Sequence, residues 1–277
     1  MAGLLLVIAH PDDEIFCSGL LAHLSSKGVP LHIVCLTRGE GGQIGVPPKA
    51  TRETLPAVRE REMARAAEVL GVESLVFLEY TDPAPDGSRL RAPDHDAARL
   101  EHDIAVQINK FDPDVVLTHG STGDYGHPAH VLMHRMTKNA ASKVGVVLYS
   151  FNAFFPGSGR MGALNRNDWA TILVDGSPYQ QTRFESFWEH ETQWSVFVGE
   201  LSSKEDYRSA LQQYFIDTSV ESYCRQVAGD ASRDLMEEWC REIMIDPPAP
   251  NWFMRTRYSL IWTLRELARR IKRIIVR

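Results

Sequence analysis

Two short segments of this sequence carry residues that could do chemistry together: Ala9–Glu14, which reads AHPDDE, and Gly123–His130, which reads GDYGHPAH. Both mix imidazoles with carboxylates, the donors used by catalytic divalent-metal sites. Such sites take three protein ligands and keep one position open for water. Two imidazoles and one carboxylate meet that need. A carboxylate left over can then take a proton from water whose pKa the cation lowers from about 15.7 to about 7. Neighbouring residues at a strand end point in different directions, so one of Asp12 and Asp13 can bind metal while the other faces substrate. An aspartate at that place also has an ordinary structural use, the capping of a following helix. The joint occurrence of both segments, at one place in the fold, is what favours the chemical reading.

The elements between them set where the segments lie. Leu4–Ile8 is a continuous apolar run, the pattern of a strand buried on both faces. Helical periodicity follows over 15–27 and stops at Gly28. Further strands are predicted at 31–36, 75–78, 115–118 and 144–149, with helices at 51–70, at 94–110 and from His127 onward. Strands alternating with helices imply βαβ units and a mostly parallel sheet with helices on both faces, an α/β fold. Ligands of such sheets bind beyond the carboxyl ends of the strands. AHPDDE follows the first strand and GDYGHPAH the fourth, so the topology brings them to one edge. Later, 171–174 reads as a strand, and 179–193, 204–215, 232–242 and 257–273 read as helices, with a linker at Pro247–Asn251. The expected organisation is one catalytic domain over 1–195 and a mostly helical C-terminal extension over 196–277, packed on the same domain.

With 277 residues and 44% hydrophobic content the chain can bury a full core. A net charge of -6 argues against general nucleic-acid binding. No apolar run approaches the roughly 20 residues of a membrane-spanning helix. The apolar start lacks a basic region and ends at Pro-Asp-Asp-Glu, so it reads as a strand, not a signal peptide. Four cysteines without a C-x-x-C pair fit a reduced, cytoplasmic protein. The glycine-rich loop Thr37–Gly45 follows the second strand and is not G-x-G-x-x-G, so it reads as a close approach to substrate and not as a dinucleotide site. The C-terminal LRELARRIKRIIVR carries six basic residues. It reads as a packing helix with a solvated basic face, peripheral contact with an anionic membrane being the alternative. Homo-oligomerisation is left open.

AHPDDE with a downstream G-H-P-x-H resembles the LmbE/PIG-L deacetylase family. The resemblance implies a Rossmann-like fold, a mononuclear zinc site and hydrolysis of N-acetylglucosamine-type amides. It makes His10, Asp13 and His130 the metal ligands and Asp12 the general base. It makes His127 the residue that stabilises the tetrahedral intermediate or protonates the leaving amine, and Tyr125 a donor to the oxyanion. R-x-x-E-x-x-x-A-x-x-x-L-G, here Arg59, Glu62, Ala66, Leu70 and Gly71, is similar to a family element whose arginine reaches the substrate. Asp82 matches a substrate-side aspartate, and His190–Gln193, HETQ, is similar to an H-x-[ST]-Q element. The resemblance covers residues 4–150 and fades beyond Gln193. His134, one helical turn past His130, and His119, at the end of the fourth strand, are further candidates for contact with a metal site.

The expected function is therefore a metal-dependent hydrolase that removes an N-acyl group, N-acetyl first, from an amino sugar or glycoconjugate. Zn²⁺ is the expected cofactor, with Fe²⁺ as the alternative. Two other readings compete. Two histidines and one carboxylate also make the facial triad of non-haem Fe(II) enzymes, whose motifs usually sit on β-sandwich barrels. A non-catalytic sugar- or nucleotide-binding module is the other, and it would need no base.

Overall fold

The computed structural model of the chain describes residues 3–87, 89–155 and 165–246. The predicted linker at 247–251 and the basic C-terminal helix lie outside the described residues.

An α/β order runs through the first half: β1 (Leu4–Ile8), α1 (Ser18–Ser26), β2 (Leu31–Cys35), α2 (Leu55–Val69), β3 (Ser74–Phe77), α3 (Ala97–Phe111), β4 (Val115–Thr118), α4 (Pro128–Val144) and β5 (Val147–Phe151). The remainder adds β6 (Ala153–Phe154), β7 (Asn165–Trp169), β8 (Ile172–Asp175), α5 (Gln180–Trp188), α6 (Trp194–Val198), α7 (Lys204–Asp217), β9 (Val220–Val227), α8 (Met236–Cys240) and β10 (Met244–Ile245). The main sheet has eight strands in the order β10-β8-β9-β5-β4-β1-β2-β3. The five strands from β3 to β5 are mutually parallel; β9, β8 and β10 extend the sheet with antiparallel pairings.

β1 is central, and all five of its residues are fully buried. Its alternate side chains face opposite sides of the sheet. Leu4, Leu6 and Ile8 pack with Leu20, Leu21 and Leu24 of α1 and Met63 of α2. Leu5 and Val7 pack with Ile104 and Ile108 of α3 and Leu132 and Met133 of α4. Burial on both faces is why the strand has no polar alternation. The chain order reverses between β1 and β4, and the crevice at the carboxyl ends of these two strands is where ligands bind in open sheets of this kind.

The sequence reading expects helices after residue 195 and does not identify β9. This strand sits inside the sheet, between β5 and β8. A glutamate at Glu221 breaks its apolar run, yet Glu221 is 4% exposed. Its carboxylate accepts from the backbone N–H of Gly19 at 2.6 Å and of Leu20 at 2.9 Å, and from Tyr223 Oη at 2.7 Å. The free N–H groups at the start of α1 thus find an acid about 200 residues away in sequence, which is favourable at a helix N-terminus. Helix periodicity over 232–242 resolves into only the short α8, and the helix expected over 179–193 ends at Trp188. No helix among the described residues is long and apolar enough to cross a membrane.

Candidate active site

The chain leaves β1 and turns sharply at His10–Asp12. The Asp12 backbone is left-handed, with φ 95, a conformation that costs a residue with a side chain about 1–3 kcal/mol. Its carboxylate makes no capping bond to the 3-10 turn Asp13–Cys17 that follows, so helix capping does not account for it. Asp13 instead turns back, and its Oδ2 accepts from the His10 backbone N–H at 2.7 Å.

Three side chains converge at the β1/β4 crevice through four donor atoms, both Asp13 oxygens among them. His10 Nδ1 lies 3.4 Å from Asp13 Oδ2, Asp13 Oδ1 lies 3.2 Å from His130 Nε2, and His130 Nε2 lies 3.3 Å from His10 Nδ1. A tetrahedral cation bound at about 2.0–2.1 Å separates its ligand atoms by about 3.3 Å. His10 and His130 meet that spacing with each other, and each meets it with a different oxygen of Asp13; the three residues are 7%, 3% and 0% exposed. His10 Nε2 is buried without a hydrogen-bond partner and stands 3.5 Å from Asp82 Oδ1. Burial works against the ionised Asp82, yet the adjacent His10 holds its carboxyl below the usual range.

Asp124 organises the set from behind. Its Oδ2 accepts from Nδ1–H of His130 at 2.8 Å and of His119 at 2.7 Å. Its Oδ1 accepts from Nδ2 of Asn165 at 2.8 Å and of Asn152 at 3.2 Å. Burial opposes its charge, but the two imidazoles hold the carboxyl well below the ordinary value. With Nδ1 protonated by this contact, His130 presents the Nε2 lone pair forward. His119 is within 3.4 Å of Asp13 and could share an ion with Asp13 and His130 by distance. Its Nε2 accepts from Ala9 N–H at 3.0 Å, so its lone pair is already used. His134 donates Nδ1–H to the His119 carbonyl at 2.9 Å and supports that ring from behind.

Two residues flank the donor set without belonging to it. Asp12 is 13% exposed at its side chain, and its Oδ2 lies 3.4 Å from Arg59 Nη2. Burial pushes its carboxyl up to about 7, Asp13 adding to the shift and Arg59 opposing it. His127 is the N-cap of α4, and its Nδ1 accepts from Ala129 N–H at 3.2 Å. The neutral ring then carries its proton on Nε2. Burial, followed by the neighbouring His10 and His130, lowers His127 to about 3. By distance His127 could replace Asp13 in an ion site with His10 and His130, and Asp13 could share one with His119 and His130.

His10, Asp12, Asp13 and His127 line one cavity of about 430 Å³, walled farther out by Tyr125, Asp82, Arg52, Arg91, Gln43 and Gln193. Tyr125 stands at the mouth, 54% exposed. Arg59 lines the cavity too, but its guanidinium is committed to the protein. Nη2 donates to the Pro11 carbonyl at 2.5 Å and Nη1 to the Gly39 carbonyl at 3.3 Å. Gly41 and Gly42 line the cavity as well, and the loop also packs against this guanidinium. A Cβ at Gly39 would sit 2.1 Å from Arg59 Nη1, and one at Gly42 would sit 2.3 Å from it. Gly39 also has φ +67. Gly39→Ala is expected to destabilise the protein by about 1–3 kcal/mol and to weaken activity through Arg59. An unchanged urea midpoint would contradict this packing account.

Sequence reasoning passed over Asp124, Asn165, Glu14 and the contacts of His190. Asp124 and Glu14 lie inside the two motifs, so their positions were visible and their partners were not. Asn165 has no local signal.

Comparison with known proteins agrees with this picture. The family model described as PIG-L, GlcNAc-PI de-N-acetylase, matches residues 5–141. The 1D-myo-inositol 2-acetamido-2-deoxy-alpha-D-glucopyranoside deacetylase of Mycolicibacterium vanbaalenii is 31% identical over 198 residues, 64% of this chain and 69% of that protein. The chain spans 35% of the length of another curated relative, the probable N-acetyl-alpha-D-glucosaminyl L-malate deacetylase 2 of Bacillus anthracis, at 48% identity over 80 residues. Among solved structures, N,N'-diacetylchitobiose deacetylase from Pyrococcus horikoshii is similar with a TM-score of 0.57 at 18% identity, over 80% of this chain and 83% of that one. GalB, the 4-carboxy-2-hydroxymuconate hydratase of Pseudomonas putida, is similar with a TM-score of 0.55 at 18% identity, over 81% and 96%. These two likenesses show a shared fold, and the hydratase shows that the fold alone does not choose a reaction. With the family model running from β1 into α4, and a relative 31% identical over 69% of its length, this chain belongs to the PIG-L family of GlcNAc-PI de-N-acetylases.

Proposed function

We propose that this protein is a metal-dependent hydrolase that removes the N-acetyl group from an amino sugar or glycoconjugate. One observation carries the reading: Asp12 is held in a strained backbone beside a three-donor set, outside it and facing the same cavity. A binding module has no use for such a base. The amino-sugar class rests on the family and on the relatives' acetamido-sugar substrates.

His10, Asp13 and His130 would hold Zn²⁺, with Fe²⁺ suited to the same donors. The ion supplies a water of lowered pKa and polarises the acyl carbonyl. The chain's own residues do the rest. Arg59 faces Asp12 Oδ2, which leaves Oδ1 to take the proton of the attacking water. His127, neutral at physiological pH, donates Nε2–H to the carbonyl oxygen as it gains charge. A ring so reluctant to protonate is scarcely present as the imidazolium that could give up a proton, so Asp12 returns its proton to the leaving amine. Tyr125 adds a hydroxyl donor at the mouth, and Asp82 and the outer wall hold sugar hydroxyls. Arg59 acts on substrate through the position of Asp12. A cytoplasmic location belongs to this reading and is supported by four free thiols, three of them buried.

The test is release of acetate and free amine from a panel of N-acetylglucosamine glycosides. Activity should vanish with a chelator and return with added Zn²⁺ or Fe²⁺. A metal-loaded protein that frees no acetate from any of them would sink the proposal, and oxygen uptake by the iron form would favour the oxygenase reading.

A further inference from the structure

The geometry points to Glu14 and His190 as a buried pair that positions Asp12 for catalysis. The inference rests on the reading of Asp12 as the base and extends it to residues that touch neither metal nor substrate.

Glu14 and His190 are 1% and 0% exposed. Glu14 Oε1 accepts from His190 Nε2–H at 2.6 Å, and Glu14 Oε2 accepts from the Asp12 backbone N–H at 3.0 Å. That N–H belongs to the same peptide unit as the Pro11 carbonyl, which accepts from Arg59 Nη2 at 2.5 Å. One planar peptide is therefore gripped at both polar ends by buried side chains. Fixing its plane fixes the rotation about the Asp12 N–Cα bond, and this bond is the one held at φ 95. The Asp12 side chain makes no capping bond of its own; its Oδ2 faces Arg59 Nη2 at 3.4 Å and its carbonyl accepts from Ile15 N–H at 3.2 Å.

His190 is anchored in turn. Thr192 donates its N–H and its hydroxyl to Glu62 at 2.9 and 2.6 Å, and Gln193 Nε2 donates to the Gln43 carbonyl at 3.2 Å. Glu62 follows Arg59 by three residues on α2 and shares its helix face. Both jaws of the clamp thus hang from α2, Arg59 directly and Glu14 through the 190–193 segment. This gives the HETQ element a task that its distance from the donor set does not suggest. Glu14 and His190 are positioning residues, not catalytic ones.

The experiment measures kcat, KM and Zn²⁺ binding by the metal-free protein for Glu14→Ala, Glu14→Gln, Asp12→Asn and the double variant Glu14→Ala/Asp12→Asn. Glu14→Ala should lower kcat by about 10- to 100-fold, the usual cost of losing such a support, with KM and Zn²⁺ affinity little changed. Glu14→Gln should stay within about threefold, because the amide oxygen still accepts from Asp12 N–H and His190 can switch tautomer to accept from the amide. In the Asp12→Asn background, Glu14→Ala should cost nothing further, since the residue it positions is already disabled. Equal losses in both backgrounds, or no loss in either, overturn the inference. Should Glu14→Ala fail to fold, His190→Phe, which keeps a ring and removes the donor, takes its place in the same cycle. A fully active Asp12→Asn defeats the assignment of the base itself; an inactive Asp12→Asn with an undiminished Glu14→Ala defeats only the positioning pair.

Discussion

Asp12→Asn is expected to lower kcat by about 10²- to 10⁴-fold, the range a positioned acid–base group contributes, while Zn²⁺ binding stays at the parental level. The substitution keeps the shape of the side chain and removes its ability to take a proton. Asparagine also tolerates positive φ better than most residues, so the turn at φ 95 persists. Metal binding persists because the three contacts of 3.2–3.4 Å join His10, Asp13 and His130 without Asp12. Turnover and metal content measured on one preparation check both halves. Activity near the parental value would remove Asp12 from the mechanism, and loss of metal would make it a ligand.

His130→Ala and Asp13→Ala are expected to abolish metal uptake and, with it, all measurable deacetylation. Each removes one vertex from the proposed three-donor set, and the Nδ1 of His127, the one other donor near His10 and His130 among the described residues, already accepts from Ala129 N–H. His119 cannot step in without giving up the Ala9 N–H that its Nε2 accepts at 3.0 Å, and His134 is engaged with the His119 carbonyl. Asp124→Ala is expected to be milder at the metal, about 10- to 100-fold in affinity, as for loss of a partner that orients a ligand. It should cost more in stability, because the Asn152 amide and the Nδ1–H groups of His130 and His119 lose their acceptor, and each buried donor left unpaired costs about 1–3 kcal/mol. Calorimetric titration with Zn²⁺ and thermal melts separate the two effects. Parental zinc affinity in His130→Ala would show that the ion, if there is one, sits elsewhere.

Much of this was legible in the chain before any folding. The run LLLVI announces a strand buried on both faces, and its five residues are all in the core. The alternation of strands and helices places AHPDDE and GDYGHPAH at one sheet edge, and His10 and His130 do meet there at 3.3 Å. Such inferences succeed because periodicity and the geometry of parallel sheets are local or topological properties. Others had no local trace. Glu221 looks like a break in a strand until Gly19, 202 residues earlier, supplies the N–H that satisfies it. The hold of Arg59 on the Pro11 and Gly39 carbonyls is invisible in the sequence, where it reads only as a residue that reaches substrate. Among the histidines, His119 differs from His130 in an Nε2 lone pair already used by Ala9 N–H, and His134 in being turned to the His119 carbonyl. The residue types and their strand-end positions follow from the order of amino acids. Which nitrogen is free, which carboxylate turns inward and which peptide is clamped follow from buried polar groups finding partners far away along the chain, because a buried donor or acceptor left without one is too costly to keep.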